Sequence, residues 1–451
     1  MQHLAIHIGR IRYLLSEPQT TSDGRPTGYG NLVRHIEQTI RSAAAFGATV
    51  FLMKPRFPLN PALFDLESPD VRIIGDADWR APALRMLWRA SAPLRYGKPF
   101  AWLISIAARQ VRAPVELAKH WARRRGMRSL DRWLDRLGHR CRRVSNTYEQ
   151  HVVKAWQMVF AQARERARTT GSKRRRVRLR LRPASEQLVE KIAREVGVDS
   201  ARPIVTLHVR EAGYRTRGAV RQRDLDALRE ASIDGYAAAI SWLTMRGYQV
   251  VRIGDPTMTP CRWPGVIDLA TAPWRTGAFE LWALLHSRFF IASDSGPYFL
   301  SKLCGIPCLS VNVFRLGYNT VGRNDRYIVK RVFDRVRGRY LSVAEQLSEA
   351  FVCGPLDLDR YEWIDNTPDE IGEAVEDMVA LLDDPSQPRT AEQARHDQLL
   401  IGLAARSEPD RGPAERLVFK RGGTGTISPR FAAHFLDTAS FGRLEPDLRM
   451  R

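Results

Sequence analysis

Polar residues follow several apolar segments in the second half of the sequence, at points where predicted strands end. His208 and Arg210 stand two residues apart, which places both side chains on one side of an extended chain. An arginine there offers two parallel N–H groups, and these match two oxygens of a phosphate. The spacing therefore predicts an anion-binding pair, and His208 and Arg210 are the first candidates for catalysis.

A Ser-Asp-Ser-Gly-Pro segment is the second candidate. Ser293, Asp294 and Ser295 can cap a following helix, whereas Gly296 lets another backbone approach closely and Pro297 fits the first helical turn. A helix N-terminus presents N–H groups and the positive end of a dipole, so this segment predicts a diphosphate site opposite Arg210. Plain helix capping is the alternative role.

Other polar residues at predicted strand ends complete the candidate ligand-binding set, namely Glu211, Gly213, Gly254, Asp255 and Asp268. We expect Asp255 and Asp268 to bind the ribose or base of a nucleotide. The alternatives remain open: both aspartates can cap loops, His208 can be a buried structural residue, and Arg210 can pair with Glu211 in the interior.

Five apolar segments alternate with helical patterns and would bring these residues together. Strands are predicted at 203–209, 248–253, 265–269, 288–292 and 307–311. Helices are predicted between them at 233–245, 276–286 and 297–303. This alternation is typical of a parallel sheet covered on both faces, in which ligands bind beyond the carboxyl ends of the strands. The second half is therefore predicted to be a Rossmann-like α/β domain.

The first half is expected to hold a second α/β unit. A strand at 3–8, a helix at 31–46 and a strand at 49–53 form one βαβ unit. The predicted organisation has three regions: a Rossmann-like domain at 1–200 with a helical insert at about 85–182, a Rossmann-like domain at 201–385, and a linker with a C-terminal helix at 386–451. We expect this last region to pack back on the N-terminal domain.

The net charge of +22 comes from one stretch of the chain. Residues 85–182 contain 27 Lys or Arg and 5 Asp or Glu, whereas the rest of the chain contains 44 of each sign. Tryptophans lie among these arginines, a combination that favours the surface of an anionic membrane. Nucleic-acid binding and a solvated basic face are the alternatives. We expect contact with an anionic membrane through residues 85–182 and no nucleic-acid partner.

The absence of certain sequence motifs excludes several classes of protein. Neither a GxGxxG turn nor a GxxxxGK[ST] loop follows a predicted strand, which removes a dinucleotide fingerprint and a P-loop NTPase. Cys304 and Cys308 have no second pair of metal-ligand spacing, so we expect no metal and no other cofactor. Without a signal-peptide or membrane-spanning pattern, the expected location is the cytoplasm, including the inner face of the plasma membrane.

Four motifs together resemble a known family. They are HVREAGY at 208–214, VRIGDP at 251–256, RFFIASDSG at 288–296 and IDNTP at 364–368. The sequence is similar to a bacterial glycosyltransferase family found with surface-polysaccharide genes. The Ser-Asp-Ser-Gly element also resembles the nucleotide-sugar loop of heptosyltransferases, and the His-x-Arg element resembles that of GDP-fucose-dependent fucosyltransferases.

The resemblance implies a GT-B fold, in which two Rossmann-like domains face a central cleft. It further implies a nucleotide diphosphate sugar donor on the C-terminal domain, with Arg210 at its diphosphate, and a glycan or lipid-linked glycan acceptor on the N-terminal domain. The expected reaction is metal-independent, inverting transfer of a hexosyl or deoxyhexosyl group. A nucleotide-sugar 2-epimerase and a catalytically inactive membrane-associated assembly protein are the alternatives.

The catalytic base cannot be carried over from this resemblance. Heptosyltransferases have an acidic residue in the N-terminal glycine loop, whereas this sequence has Asn31 after Gly30. We therefore consider Asp23, His35 and Asp65 as candidates for the base.

Overall fold

The structure of the protein is a computed structural model that describes residues 2–8, 11–17, 29–54, 60–90, 177–211, 227–314, 324–346, 357–406 and 425–436, together with residues 118, 125, 127, 130 and 351. The chain divides into two compact units. One contains Met1–Pro18, Gln38–Lys54 and Asp70–Val177, and the other contains Gln19–Glu37, Pro55–Pro69 and Arg178–Arg451. Asp23, Gly213 and most of the basic stretch at 85–182 lie outside the described residues.

The N-terminal strands form a small mixed sheet. Strands β1 (Gln2–Ile8) and β2 (Ile11–Glu17) pair antiparallel, and helix α1 (Tyr29–Phe46) leads to β3 (Thr49–Leu52), which lies parallel to β2. The βαβ unit therefore begins at β2, and not at the strand predicted at 3–8. Only two residues separate β1 from β2, a length that suits an antiparallel hairpin and makes β1 an added edge strand.

Short elements connect the two halves of the chain. A 3₁₀ helix (Pro61–Phe64), β4 (Leu66–Glu67), β5 (Ile73–Ile74), α2 (Ala81–Ala90), β6 (Arg180–Leu181) and α3 (Pro183–Glu195) follow in order. Strand β5 pairs with β3, and β4 pairs antiparallel with β6. Pro183 begins α3 at a position where its missing N–H costs no helical hydrogen bond.

The C-terminal half is built on a parallel sheet. Its first elements are β7 (Ile204–His208), a 3₁₀ helix (Ile233–Tyr236), α4 (Ala237–Met245), β8 (Gln249–Arg252), β9 (Val266–Asp268), α5 (Gly277–Leu285), β10 (Ser287–Ala292), α6 (Tyr298–Cys304), β11 (Cys308–Val313) and β12 (Arg326–Val329). All residues of β7, β8, β11 and β12 are buried, as both faces of the sheet are covered. The predicted α/β class and the five predicted strands are confirmed, whereas β12 was not predicted.

Four further strands and four helices complete the described chain. They are β13 (Arg331–Asp334), β14 (Arg339–Tyr340), α7 (Val343–Gln346), β15 (Tyr361–Ile364), α8 (Pro368–Asp383), α9 (Ala391–Arg406), β16 (Thr426–Ile427) and α10 (Pro429–Leu436). Strands β13, β14 and β15 form a separate antiparallel sheet. Thr367 caps α8 in a reciprocal pair with Glu370, which accounts for part of the IDNTP motif.

The described part of 386–451 packs differently from the prediction. Strand β16 pairs parallel with β12 at the edge of the large sheet, and Phe431 and Phe435 of α10 lie in the core beneath that sheet. Ser428 and Arg430 also donate hydrogen bonds to Asp377 of α8. These contacts join the described part of the segment to the C-terminal sheet, because its apolar residues fit that core.

The order of the seven parallel strands is β16-β12-β11-β10-β7-β8-β9. The chain runs outward from β7 through β8 to β9, returns to β10 beside β7, and then runs outward in the other direction. The direction of strand order therefore reverses between β7 and β10. Such a reversal opens a crevice outside the carboxyl ends of the two strands, and α/β proteins bind ligands there.

Candidate functional site

The predicted His-x-Arg and Ser-Asp-Ser-Gly elements meet at this reversal point. His208 ends β7 and lies opposite Ala292, the last residue of β10. The Ser293 N–H donates to the His208 carbonyl over 3.1 Å, and the Arg210 N–H donates to Ser293 Oγ over 2.7 Å. Hydrogen bonds thus connect the end of β7 with the end of β10, although the two segments are far apart in sequence.

His208 is a buried, neutral imidazole. Its Nδ1 lies 3.0 Å from Ser295 Oγ, and burial, aided by the charges of Arg210 and Arg252, lowers the pKa of His208 to about 3. A neutral imidazole that accepts at Nδ1 carries its proton at Nε2, where it can donate a hydrogen bond to a ligand. If the Ser295 hydroxyl donates, it therefore sets the tautomer of His208.

The loop from Ser293 to Gly296 is held from both sides. Arg229 donates to the Asp294 carbonyl over 2.9 Å, and its Nη2 lies 3.6 Å from Asp294 Oδ1. A Cβ added to Gly30, in the first turn of α1, would lie 2.8 Å from the Cα of Gly296. Gly30 is thus the residue that lets the N-terminus of α1 reach this loop.

The predicted helix N-terminus is less open than a free anion site would be. The N–H groups of Tyr298, Phe299 and Leu300 donate to the carbonyls of residues 295–297. Helix α6 itself has seven residues. These N–H groups are therefore already bonded within the turn. The polar side chains of the loop and of β7 are the groups that can bind a ligand.

On the other side of β7, Arg252 is enclosed by carboxylates. Its Nη2 donates to Glu211 Oε1 over 2.7 Å, and its Nη1 donates to Asp268 Oδ2 over 3.2 Å and to the Thr259 carbonyl over 2.6 Å. The Arg252 side chain is 0% exposed. Glu211 and Asp268, which we predicted as ligand-binding residues, are thereby committed to an internal ion cluster, which favours the loop-holding alternative for Asp268.

Gly254 and Asp255 follow β8 on the same side. The Asp255 carboxylate accepts hydrogen bonds from the N–H and the hydroxyl of Thr257, which closes a local turn. The Gly254 carbonyl accepts from Arg275 Nε over 2.7 Å. Asp255 thus has the loop-capping role that the sequence left open, and Gly254 supplies an anchor for Arg275.

Glu280 is a candidate that the sequence reasoning missed. It lies in the first turn of α5, buried, with Oε1 accepting a 2.9 Å hydrogen bond from Arg275. Burial raises the pKa of Glu280 to about 7, while Arg275 opposes the rise and Asp255 adds to it. The available signal was one acidic residue among the apolar residues of the FELWALL segment.

The candidate bases have different positions. His35 is buried in α1. Asp65 accepts from Ser185 Oγ over 2.7 Å and lies 2.9 Å from Arg182 Nε, so it fixes the start of α3. Asp23 and the predicted ligand residue Gly213 are outside the described residues.

The described part of the chain contains no group of three His, Cys, Asp or Glu side chains suited to a metal ion. Cys308 is fully buried, and burial raises the pKa of its thiol to about 12. Within the described residues, no helix combines the length and apolarity that crossing a bilayer requires.

Among known proteins, the similarities found are to solved structures. No protein-family model and no curated protein sequence matches the chain. The structure is similar to glycosyl transferase family 9 from Veillonella parvula DSM 2008, at 11% identity over 70% of this chain and 84% of that chain, with a TM-score of 0.33. It is also similar to ADP-heptose LPS heptosyltransferase II of E. coli, at 12% identity over 83% of this chain and 99% of that chain, with a TM-score of 0.38.

Proposed function

We propose that this protein is a glycosyltransferase of the GT-B type that takes its sugar from a nucleotide diphosphate sugar. The observation that carries the proposal is the convergence of His208, Arg210 and the Ser293–Gly296 loop at the strand-order reversal between β7 and β10. This is where α/β folds bind nucleotides, and the residue types suit a diphosphate.

Loss of the nucleotide diphosphate is the step that these residues would assist. Negative charge grows on the leaving diphosphate in the transition state, and a fixed guanidinium and N–H donors lower the energy of that charge. We assign Arg210 to the diphosphate oxygens. His208 would donate from Nε2 as a neutral group, since its pKa of about 3 keeps it uncharged at neutral pH.

We use the term rim for the carboxyl ends of β7, β8 and β10 and the residues that follow them. The nucleoside end of the donor is assigned to the β8 side of this rim. Arg275 holds Oε1 of Glu280 and the carbonyl of Gly254 at once, which fixes the Glu280 carboxyl near the end of β8. No described residue donates a hydrogen bond to Glu280 Oε2. That oxygen suits the hydroxyl or N–H donors of a nucleoside.

The acceptor is proposed to be a glycan or a lipid-linked glycan of a cell-surface polysaccharide, and the sugar a hexose or deoxyhexose. Its attacking hydroxyl must lose a proton, for which Asp23 and His35 stay the candidate bases. Inverting, metal-independent transfer is the proposed course. These finer assignments rest on the family resemblance of the four sequence motifs.

A thermal-shift screen tests the donor proposal. GDP-, UDP-, ADP- and dTDP-linked sugars are compared with a CMP-linked sugar, which lacks a diphosphate and serves as the matched control. We expect one diphosphate donor to raise the melting temperature in proportion to the logarithm of its concentration, and the CMP sugar to leave it unchanged. A flat response to every diphosphate donor would overturn the proposal.

A second measurement distinguishes transfer from epimerisation. With the donor identified, release of free nucleotide is followed with and without a glycan acceptor. Release that depends on the acceptor is the expected result. Conversion of the sugar without acceptor would identify a nucleotide-sugar epimerase instead.

A further inference from the structure

Helix α2 of the N-terminal unit is apolar on both of its sides. Its inner side places Ala81 and Leu84 against Phe51, Met53 and Ile74, which together form a buried cluster. The turn before it is closed by hydrogen bonds from the Ala81 N–H to Asp78 and from the Leu84 N–H to Arg80. This packing fixes which face of the helix points away from the core.

The outer side of α2 and its preceding turn carries exposed apolar side chains. Trp79 is 85% exposed and Met86 is 68% exposed. The set that we call the α2 outer face consists of Trp79, Pro82, Ala83, Met86 and Leu87. A surface helix normally presents polar residues opposite its buried stripe, so this face needs another explanation. Contiguous exposed apolar residues mark a surface for a partner or a membrane.

The charges in the sequence of α2 and of the segment that follows it suit an anionic surface. Helix α2 contains two arginines, Arg85 and Arg89, and no acidic residue. The nearby acids precede the helix, and they are already paired, Asp78 with Arg80 and Asp76 with Arg85. The sequence from residue 85 to 182, which includes these two arginines, contains 27 basic residues against 5 acidic ones. Tryptophan beside arginine is the combination that suits the headgroup layer of a bilayer.

We propose that the α2 outer face docks on an anionic lipid bilayer, with Trp79 and Met86 entering the boundary between headgroups and acyl chains. A second copy of the chain is a poorer occupant, because it would bring an equally basic stretch of sequence against the first. The inference concerns where the protein lies. It does not depend on the glycosyltransferase proposal, and its test uses no substrate.

Vesicle flotation tests the docking surface. Full-length protein is mixed with vesicles of phosphatidylglycerol and phosphatidylcholine, and with vesicles of phosphatidylcholine alone. We expect binding to the anionic vesicles that weakens as salt is raised, since screening reduces the attraction between arginines and headgroups. We expect the Trp79→Ser, Met86→Ser double variant to bind roughly tenfold or more weakly, because it loses the apolar contacts.

Met245→Ser is the matched control, because Met245 is 76% exposed on α4 in the other unit. It should bind as the unsubstituted protein does, and all variants should keep the same melting temperature. Equal binding of the double variant and the control to anionic vesicles would overturn the proposal. So would a concentration-dependent dimer in sedimentation that only the double variant abolishes, since the occupant would then be a second copy.

Discussion

Strand β7 is joined to its two neighbours by different kinds of group. On the β8 side, Arg252 is fully enclosed and held by Glu211 and Asp268 together. On the β10 side, the groups that join β7 to the loop are uncharged: the Ser293 hydroxyl accepts from the Arg210 N–H, and the Ser295 hydroxyl lies beside the neutral ring of His208. The charged pair on this side, Arg229 and Asp294, lies within the loop contacts and not between the strand ends. The same edge of one sheet thus contains an internal ion cluster and a hydroxyl-lined loop.

The difference separates residues that hold the rim from residues that can meet a ligand. A buried arginine between two carboxylates has its charge balanced already, so an anionic ligand would have to displace those partners. Hydroxyl and imidazole groups have no ionic partner that a ligand must displace, and they can donate hydrogen bonds to it directly. This difference supports the proposal that the diphosphate binds beside β10, whereas the Arg252 cluster stabilises the β8 side.

Removing Arg252 is expected to have the largest effect. Arg252→Ala leaves Glu211 and Asp268 as buried carboxylates without their shared cation, and loss of one member of a buried ion cluster costs about 3–5 kcal/mol. The free energy of unfolding, measured by urea denaturation, should fall by about that amount. A variant as stable as the unsubstituted protein would contradict the idea that this cluster supports the rim.

Arg210→Ala should lower activity strongly and stability only slightly, the reverse of the effect expected for Arg252→Ala. Removing a group that stabilises charge in the transition state lowers turnover by roughly 10²–10³-fold. Turnover is measured as acceptor-dependent release of nucleotide, and unfolding by urea denaturation in parallel. The stability loss should be smaller than for Arg252→Ala. A reversed ranking, with Arg210→Ala the less stable and still active, would remove the distinction between the two sides.

The sequence predicted which residues lie at the rim more completely than it predicted their hydrogen-bond and ion-pair partners. Period-two spacing placed His208 and Arg210 together, and the turn residues at 293–297 located the end of β10. Arg252 lies inside the VVRI run, where nothing local indicates that two carboxylates will enclose it. Glu280 was missed because its burial and its bond to Arg275 arise from packing. Strands β12 and β16 were not predicted, since each is short and shows no periodic pattern of its own.

Glu280 is expected to make stability depend on pH. Because burial raises its pKa from 4.5 to about 7, the folded chain binds more protons than the unfolded chain between those values. Stability should therefore fall as pH rises through this window, by about 3 kcal/mol for this group. Glu280→Gln should flatten that slope in urea denaturation at a series of pH values. Glu190→Gln, an exposed substitution on α3, is the control that should keep the slope.

Gly30→Ala is expected to have the smallest effect, and it tests the approach of α1 to the Ser293–Gly296 loop. The new Cβ would lie 2.8 Å from the Cα of Gly296, a backbone atom that cannot turn aside, so α1 or the loop must shift. We expect a net loss of about 1 kcal/mol, because the clash outweighs the better helix propensity of alanine. The melting temperature and the donor affinity should both fall slightly.

Gly372→Ala provides the matched helical control for this last change. Gly372 lies in α8, and an added Cβ there meets no atom within 4 Å. Alanine should therefore stabilise the protein at Gly372 by about 0.5–1 kcal/mol, through the lower conformational entropy of its unfolded chain. Opposite signs at the two glycines would tie the Gly30 effect to the contact with Gly296. Stabilisation at both positions would mean that α1 does not press against the loop, and the loop would then be held by Arg229 and by the hydrogen bonds between β7 and β10.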